Sequence, residues 1–161
     1  MKIKTEIDYK GLNKIMEATK RLVKREVSAG FGGEMHSGAK VPVATLALWM
    51  EKGTRSKSGG YHIPPRPFIE QGGNIWAANM GAEAAKVVIN TLMNREAKAD
   101  KSLQKLGDMG EEAIQTSMDL QNFTSLAPKT VQLKIAKGAR HTTEMLLESG
   151  ELYQSVTTKI K

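Results

Sequence analysis

The chain has no cysteine among its 161 residues, so disulfides and thiolate metal sites are excluded. No apolar run reaches the roughly 18 residues of a membrane-spanning helix. The opening MKIKTEIDYK is charged and has no signal-peptide apolar core. The expectation is a protein that folds in a reducing, soluble compartment and meets no membrane. Aromatic residues are only 5% of the chain, and they form no set for stacking nucleic-acid bases. The histidines are His36, His62 and His141, and none has a second ligand at a spacing such as H-E-x-x-H. The carboxylate pair Glu111–Glu112 occupies adjacent helix positions, which face apart rather than working as acid and base. No Gly-x-Ser-x-Gly elbow occurs. The sequence therefore offers no catalytic residue, no metal ligand set and no cofactor-binding motif, and a non-enzymatic role is expected.

What is present suits a globular fold. Hydrophobic residues are 40% of the chain, and 161 residues suffice for one domain, residues 1–161, with a core of its own. The net charge is +7. A basic balance favours an anionic partner such as DNA. The same lysines are spread along the chain, and a solvated face kept for solubility explains them equally well.

Periodicity gives the elements. Ile3, Thr5 and Ile7 alternate with charged residues and predict an opening strand, with Asp8 as the N-cap of the next element. From Tyr9 to Lys24, Leu12, Ile15, Met16, Thr19, Leu22 and Val23 recur at three and four. That is an amphipathic helix with a basic outer face of Lys10, Lys14, Lys20, Arg21 and Lys24. Arg25, Val27, Ala29 and Phe31 alternate as a second strand. The glycine-rich run 30–39 fails both phosphate-loop spacings and predicts a hairpin-like loop or a mobile tip.

Farther on, Ile75, Trp76, Met80, Ala84, Val87, Val88 and Leu92 share a helical stripe whose entry Gly72-Gly73 loosens. Asp100 or Ser102 caps a second helical segment that runs to about Leu120. Gly81, Ala82, Ala85, Gly107 and Gly110 allow helices to approach closely. Pro128 starts a short helix ending at Lys137-Gly138, and Thr143 caps another over 144–147. Ser149-Gly150 is a tight turn, with glycine supplying a positive φ, into a final strand on Val156, Thr158 and Ile160. The fold class is α+β: a small antiparallel sheet packed on several helices, including a long central helical region.

The chain is organised around residues 41–70, VPVATLALWMEKGTRSKSGGYHIPPRPFIE. Pro42 opens a short helix, and Gly53 stands where a left-handed cap is wanted. Arg55 to Gly60 is a polar, flexible, basic loop. Pro64, Pro65 and Pro67 fix three φ angles, and Phe68 anchors this stiff segment to a core.

These residues also carry a resemblance. Val43-Ala44-x-x-Ala47-x-x-x-Glu51-x-Gly53-Thr54, a variable loop, then Ile63-Pro64-Pro65-Arg66-Pro67-Phe68-Ile69 resembles the phage tail-completion and neck family. That group includes HK97-type head–tail joining proteins and Mu-type virion morphogenesis proteins. A second block comes in the family's order: Leu126-Ala127-Pro128-Lys129-Thr130, Leu133-Lys134 and Leu146 to Val156.

The resemblance implies a structural virion protein of the neck, assembled in the host cytoplasm and working without catalysis or cofactor. It implies a homo-oligomeric ring, commonly hexameric, around the DNA channel. Its partners would be the adjoining head connector and tail proteins, and DNA in the channel. A tail terminator capping the tail tube fits the same pattern. A small basic DNA-binding module is the other reading, though no helix-turn-helix or zinc finger supports it. The candidate assembly contacts are Arg55, Lys57, Arg66 and Phe68; Gly53, Pro64, Pro65, Pro67 and Gly150 are structural. The bland reading of the Arg55–Gly60 loop, an exposed connector, stands beside the contact reading.

Overall fold

A computed structural model describes residues 9–147 and 149–161 of the chain. The expected opening strand on Ile3, Thr5 and Ile7, and its Asp8 cap, lie outside the described residues. The α+β class holds: the described residues form seven helices and four short strands, the strands in antiparallel pairs.

Helix α1 (Lys10–Val23) ends in Lys20 and Arg21, cations placed where the helix dipole favours them. Strand β1 (Val27–Phe31) comes next and pairs with the last strand, β4 (Val156–Ile160), from Val27↔Ile160 to Phe31↔Val156. Reciprocal Glu26–Lys161 backbone bonds of 3.0 and 2.9 Å extend the ladder. Strands far apart in sequence thus close the molecule.

The sheet lies on α5 (Glu96–Asp119), whose 24 residues form the axis of the fold. Its buried positions, from Ala99 through Leu103, Leu106, Gly110 and Ile114 to Met118, recur at three and four. Helices α3 (Phe68–Asn79) and α4 (Gly81–Leu92) pack along α5. The long stripe expected from Ile75 to Leu92 is thus two helices, which meet at Met80.

Three glycines set how close the layers come. A Cβ on Gly72 would stand 2.7 Å from Ile114 Cα, so this residue is the close approach of α3 and α5 and not a loosened helix entry. Gly107 and Gly110, expected to bring helices together, admit the sheet, and Gly110 admits helix α3 as well through Trp76. A Cβ on Gly110 would meet Ala29 Cβ at 2.7 Å, and one on Gly107 would overlap Thr158. Gly110 also lies under the Trp76 ring, whereas Gly81 faces open space.

Neither expected cap of α5 serves. The helix begins at Glu96, one turn earlier, and Asp100 instead pairs with Arg25 at 2.6 Å while Ser102 is buried. Arg25 also binds Glu96, and Arg21 reaches Glu96 at 3.0 Å, which ties the end of α1 to the start of α5.

Helix α6 (Pro128–Ala136) starts on its proline and stops before Gly138, φ 67°, as expected. The helix expected over 144–147 is absent. Gln121 bonds both backbone groups of Met145, at 2.7 and 2.9 Å. Lys134 Nζ donates to the carbonyls of His141 and Glu144, at 3.1 and 3.0 Å. Side chains satisfy this backbone, so no helical ladder is needed. Gly150 takes the positive φ expected of it, 72°, but opens a single helical turn, α7 (Glu151–Gln154), before β4.

The main core gathers Val43, Ala47, Phe68, Ile114, Met118, Leu152 and Val156. Phe31 meets the Phe68 ring edge-on, with centroids 5.8 Å apart. A second cluster joins Val87, Leu103 and Leu106, with Leu22 and Val27 against it.

Candidate assembly surface

Residues 41–70 build a braced arm. Helix α2 (Val43–Lys52) buries Val43, Ala47 and Glu51, one residue per turn. A carboxylate on a buried helix row needs donors. Glu51 finds them at the start of α3, accepting the N–H of Ile69 at 2.8 Å and of Glu70 at 3.2 Å. It caps a helix distant in sequence and faces the positive end of that helix's dipole.

Gly53 has φ 70° but ψ 170°, so the expected left-handed cap is corrected: the chain leaves α2 extended. Only glycine suits the position, because a Cβ would stand 2.5 Å from the Ile63 carbonyl oxygen and 2.8 Å from Pro65 N.

The basic loop is the tip of a hairpin. Strands β2 (Thr54–Arg55) and β3 (Tyr61–Ile63) pair antiparallel with an irregularity between Thr54 and Arg55. Ser56 N–H donates to the Gly60 carbonyl at 2.8 Å, and Gly59 N–H to the Ser56 carbonyl at 3.0 Å. The Arg55 guanidinium lies 5.2 Å from the Tyr61 ring centroid, a cation–π contact that fixes its direction. Lys57 is exposed at the tip and has no ion-pair partner among the described residues.

Pro64, Pro65 and Pro67 return the chain stiffly to α3. Two of the predicted contact residues are then internal. Phe68 is fully buried in the main core, so its role is the anchor and not a surface contact. Arg66 is 8% exposed. Its backbone N–H donates to the Met50 carbonyl at 2.9 Å, and Nη1 approaches Met50 Sδ at 3.4 Å. Burial without a carboxylate at hand lowers its pKa. Arg55 and Lys57 alone of the four present charge to solvent. The two roles invisible in the sequence are Glu51 as a cap and Tyr61 as the stacking partner of Arg55, since both need the hairpin and α3 in place.

The glycine-rich run 30–39 resolves as the hairpin-like alternative. His36 N–H donates to the Val41 carbonyl at 2.9 Å, and Met35 bridges Pro42. Ser37 N–H donates to Glu151 Oε1 at 2.8 Å, and its hydroxyl bonds the same carboxylate. These bonds, with His36 nearby, hold the Glu151 carboxyl below its ordinary range.

A second surface departs from the sequence expectation. The apolar stripe of α1 is mostly uncovered: only Ala18 is buried, Leu12, Ile15 and Met16 are at least half exposed, and Val23 is 81% exposed. On another face, a groove of about 210 Å³ runs between α3 and α5, lined by Ile75, Trp76, Met109, Glu112, Ala113 and Thr116.

Among the described residues no cluster of three or more histidines and carboxylates could hold a metal ion, and no helix is long and apolar enough to cross a membrane. No known family model, curated protein or solved structure matches this chain.

Proposed function

We propose that this chain is a structural subunit of the phage neck, part of a homo-oligomeric ring around the DNA channel that joins head to tail. In this reading its work is docking, sealing and passage of DNA, without catalysis, and its place is the virion. Its partners are the adjoining head connector and tail proteins. A tail terminator capping the tail tube is the close variant of the same reading.

The observation that carries it is the braced arm. The motif block that resembles the family is also the block whose residues brace a hairpin from below, through Glu51, Gly53 and Phe68. The hairpin ends in two exposed cations, Arg55 and Lys57. Among the described residues, no element besides its own partner strand packs broadly against it. An arm so held suits contact with a neighbouring subunit, an adjoining ring or DNA phosphates. The +7 charge favours a second reading, a small DNA-binding module of one or two chains.

The native mass and a negative-stain image separate these readings, because a ring is several-fold heavier than a dimer. Replacing Arg55 and Lys57 with serine tests the arm. Exposed charges contribute little to folding, so melting stays at the parent value. The yield of joined particles falls when the variant replaces the parent in phage assembly, and falls further as salt rises and screens the remaining contacts. Parental particle yield at every salt concentration returns the hairpin to a solvated connector.

A further inference from the structure

Two apolar features of this protein, the α1 stripe and the α3–α5 groove, are bordered by opposite charge. Leu12, Met16 and Lys20 of α1 and its C-cap Lys24 stand four residues apart in one row, with Val23 beside it. Lys20 pairs only with the exposed Glu17, at 2.8 Å, and Lys24 has no ion pair among the described residues. Apart from Glu17, every charged residue of α1 is a cation.

The α3–α5 groove has the reverse border. Glu112 and Thr116 line its edge, and Asp108 stands one turn before Glu112 in the same helix row. From Leu106 to Pro128 the sequence has no lysine or arginine. Asp108 accepts a hydrogen bond from Gln104, and neither Asp108, Glu111 nor Glu112 has an ion pair among the described residues. The groove floor is apolar, Ile75, Met109 and Ala113, with Trp76, whose indole N–H has no partner among the described residues.

We infer that α1 of one copy docks its apolar stripe into the α3–α5 groove of the next copy. Lys20 and Lys24 then face Asp108 and Glu112 across the rim. Pairing α1 with α1, or groove with groove, would bring like charges together, so the charge pattern selects unlike faces. A contact between unlike faces leaves one face open at each end of the pair. Repeated, it produces a ring where the rotation between copies closes and an open filament where it does not. The inference rests on the ring reading above and names the surfaces that form it.

A charge swap tests it. The variants are Lys20→Glu with Lys24→Glu, and Asp108→Lys with Glu112→Lys, compared with the parent by sedimentation and light scattering. All four side chains lie on the surface, so below the concentration at which the parent assembles both variants melt like it. Each alone requires at least about tenfold higher concentration to assemble, because its two faces now carry one sign. An equimolar mixture of the two recovers assembly, since each acidic α1 meets a basic rim and each basic α1 an acidic one. Leu12→Ser with Met16→Ser weakens assembly without a change in charge.

A parent ring with either charge variant assembling normally, or with no recovery on mixing, overturns this interface and leaves the ring reading standing. A parent of single-chain mass at every concentration overturns both.

Discussion

Helices α1 and α5 invert what their sequences suggest. Helix α1 has the cleaner apolar stripe, yet of its 14 residues only Ala18 is buried. Helix α5 is rich in glycine, serine and charge, yet it buries ten residues and carries both sheet strands and two helices. Amphipathic spacing states that a face requires cover. It does not state which surface supplies the cover, or whether that surface belongs to the same chain. Small residues matter more on α5 because they let backbones approach, and each such approach brings many dispersion contacts.

The largest test of this contrast is Phe68→Ala. The ring is fully buried against the Ile114–Met118 side of α5, so truncation costs about 3–5 kcal/mol in a denaturant melt. The parallel truncation on α1, Leu12→Ala, removes a half-exposed side chain and, below the assembly concentration, shifts stability by roughly 0.5 kcal/mol or less. Equal losses would break the comparison.

Gly110→Val comes next. Its Cβ would stand 2.7 Å from Ala29 Cβ and 3.1 Å from the Trp76 ring, with a strand on one side and a helix on the other. Overpacking there costs about 1–3 kcal/mol. A parental unfolding midpoint would show that the sheet yields to α5 freely.

The smallest effect is electrostatic. Glu83 on α4 accepts bonds from Lys86 at 2.7 Å and from Lys105 of α5 at 2.9 Å, and both lower its pKa. A carboxyl whose folded pKa is depressed stabilises the fold above its unfolded value. It loses that contribution as pH falls through the folded pKa. The parent therefore loses stability relative to Glu83→Gln as pH drops below the ordinary glutamate range. Parallel melting-temperature curves for the two proteins across that acid range would remove Glu83 from the α4–α5 contact.

Much of the fold was legible locally. The β1 and β4 alternation, the α1 and α6 boundaries and the positive φ of Gly150 come from side-chain period, Pro128 and glycine. The misread segments share a cause. Met145 lies in a loop because Gln121 holds its backbone, and α5 starts early because Arg21 and Arg25 gather Glu96 and Asp100. Of the four predicted contact residues, two stayed outside and two went in. Charge alone does not separate Arg55, stacked on Tyr61, from Arg66, enclosed beside Met50.

By itself the sequence determined the period of α1, β1, α6 and β4, the stiffness of the 64–67 segment, and the exclusion of disulfides. These are properties of neighbouring residues and of φ, and they need no distant partner. Tertiary structure alone decided that Glu51 caps α3, that Gly72 and Gly110 are points of close approach, and that the α1 stripe faces outward. Each of these depends on a contact between segments far apart in the chain. Such contacts are set by which surfaces fit together at packed density, and local spacing does not encode that fit.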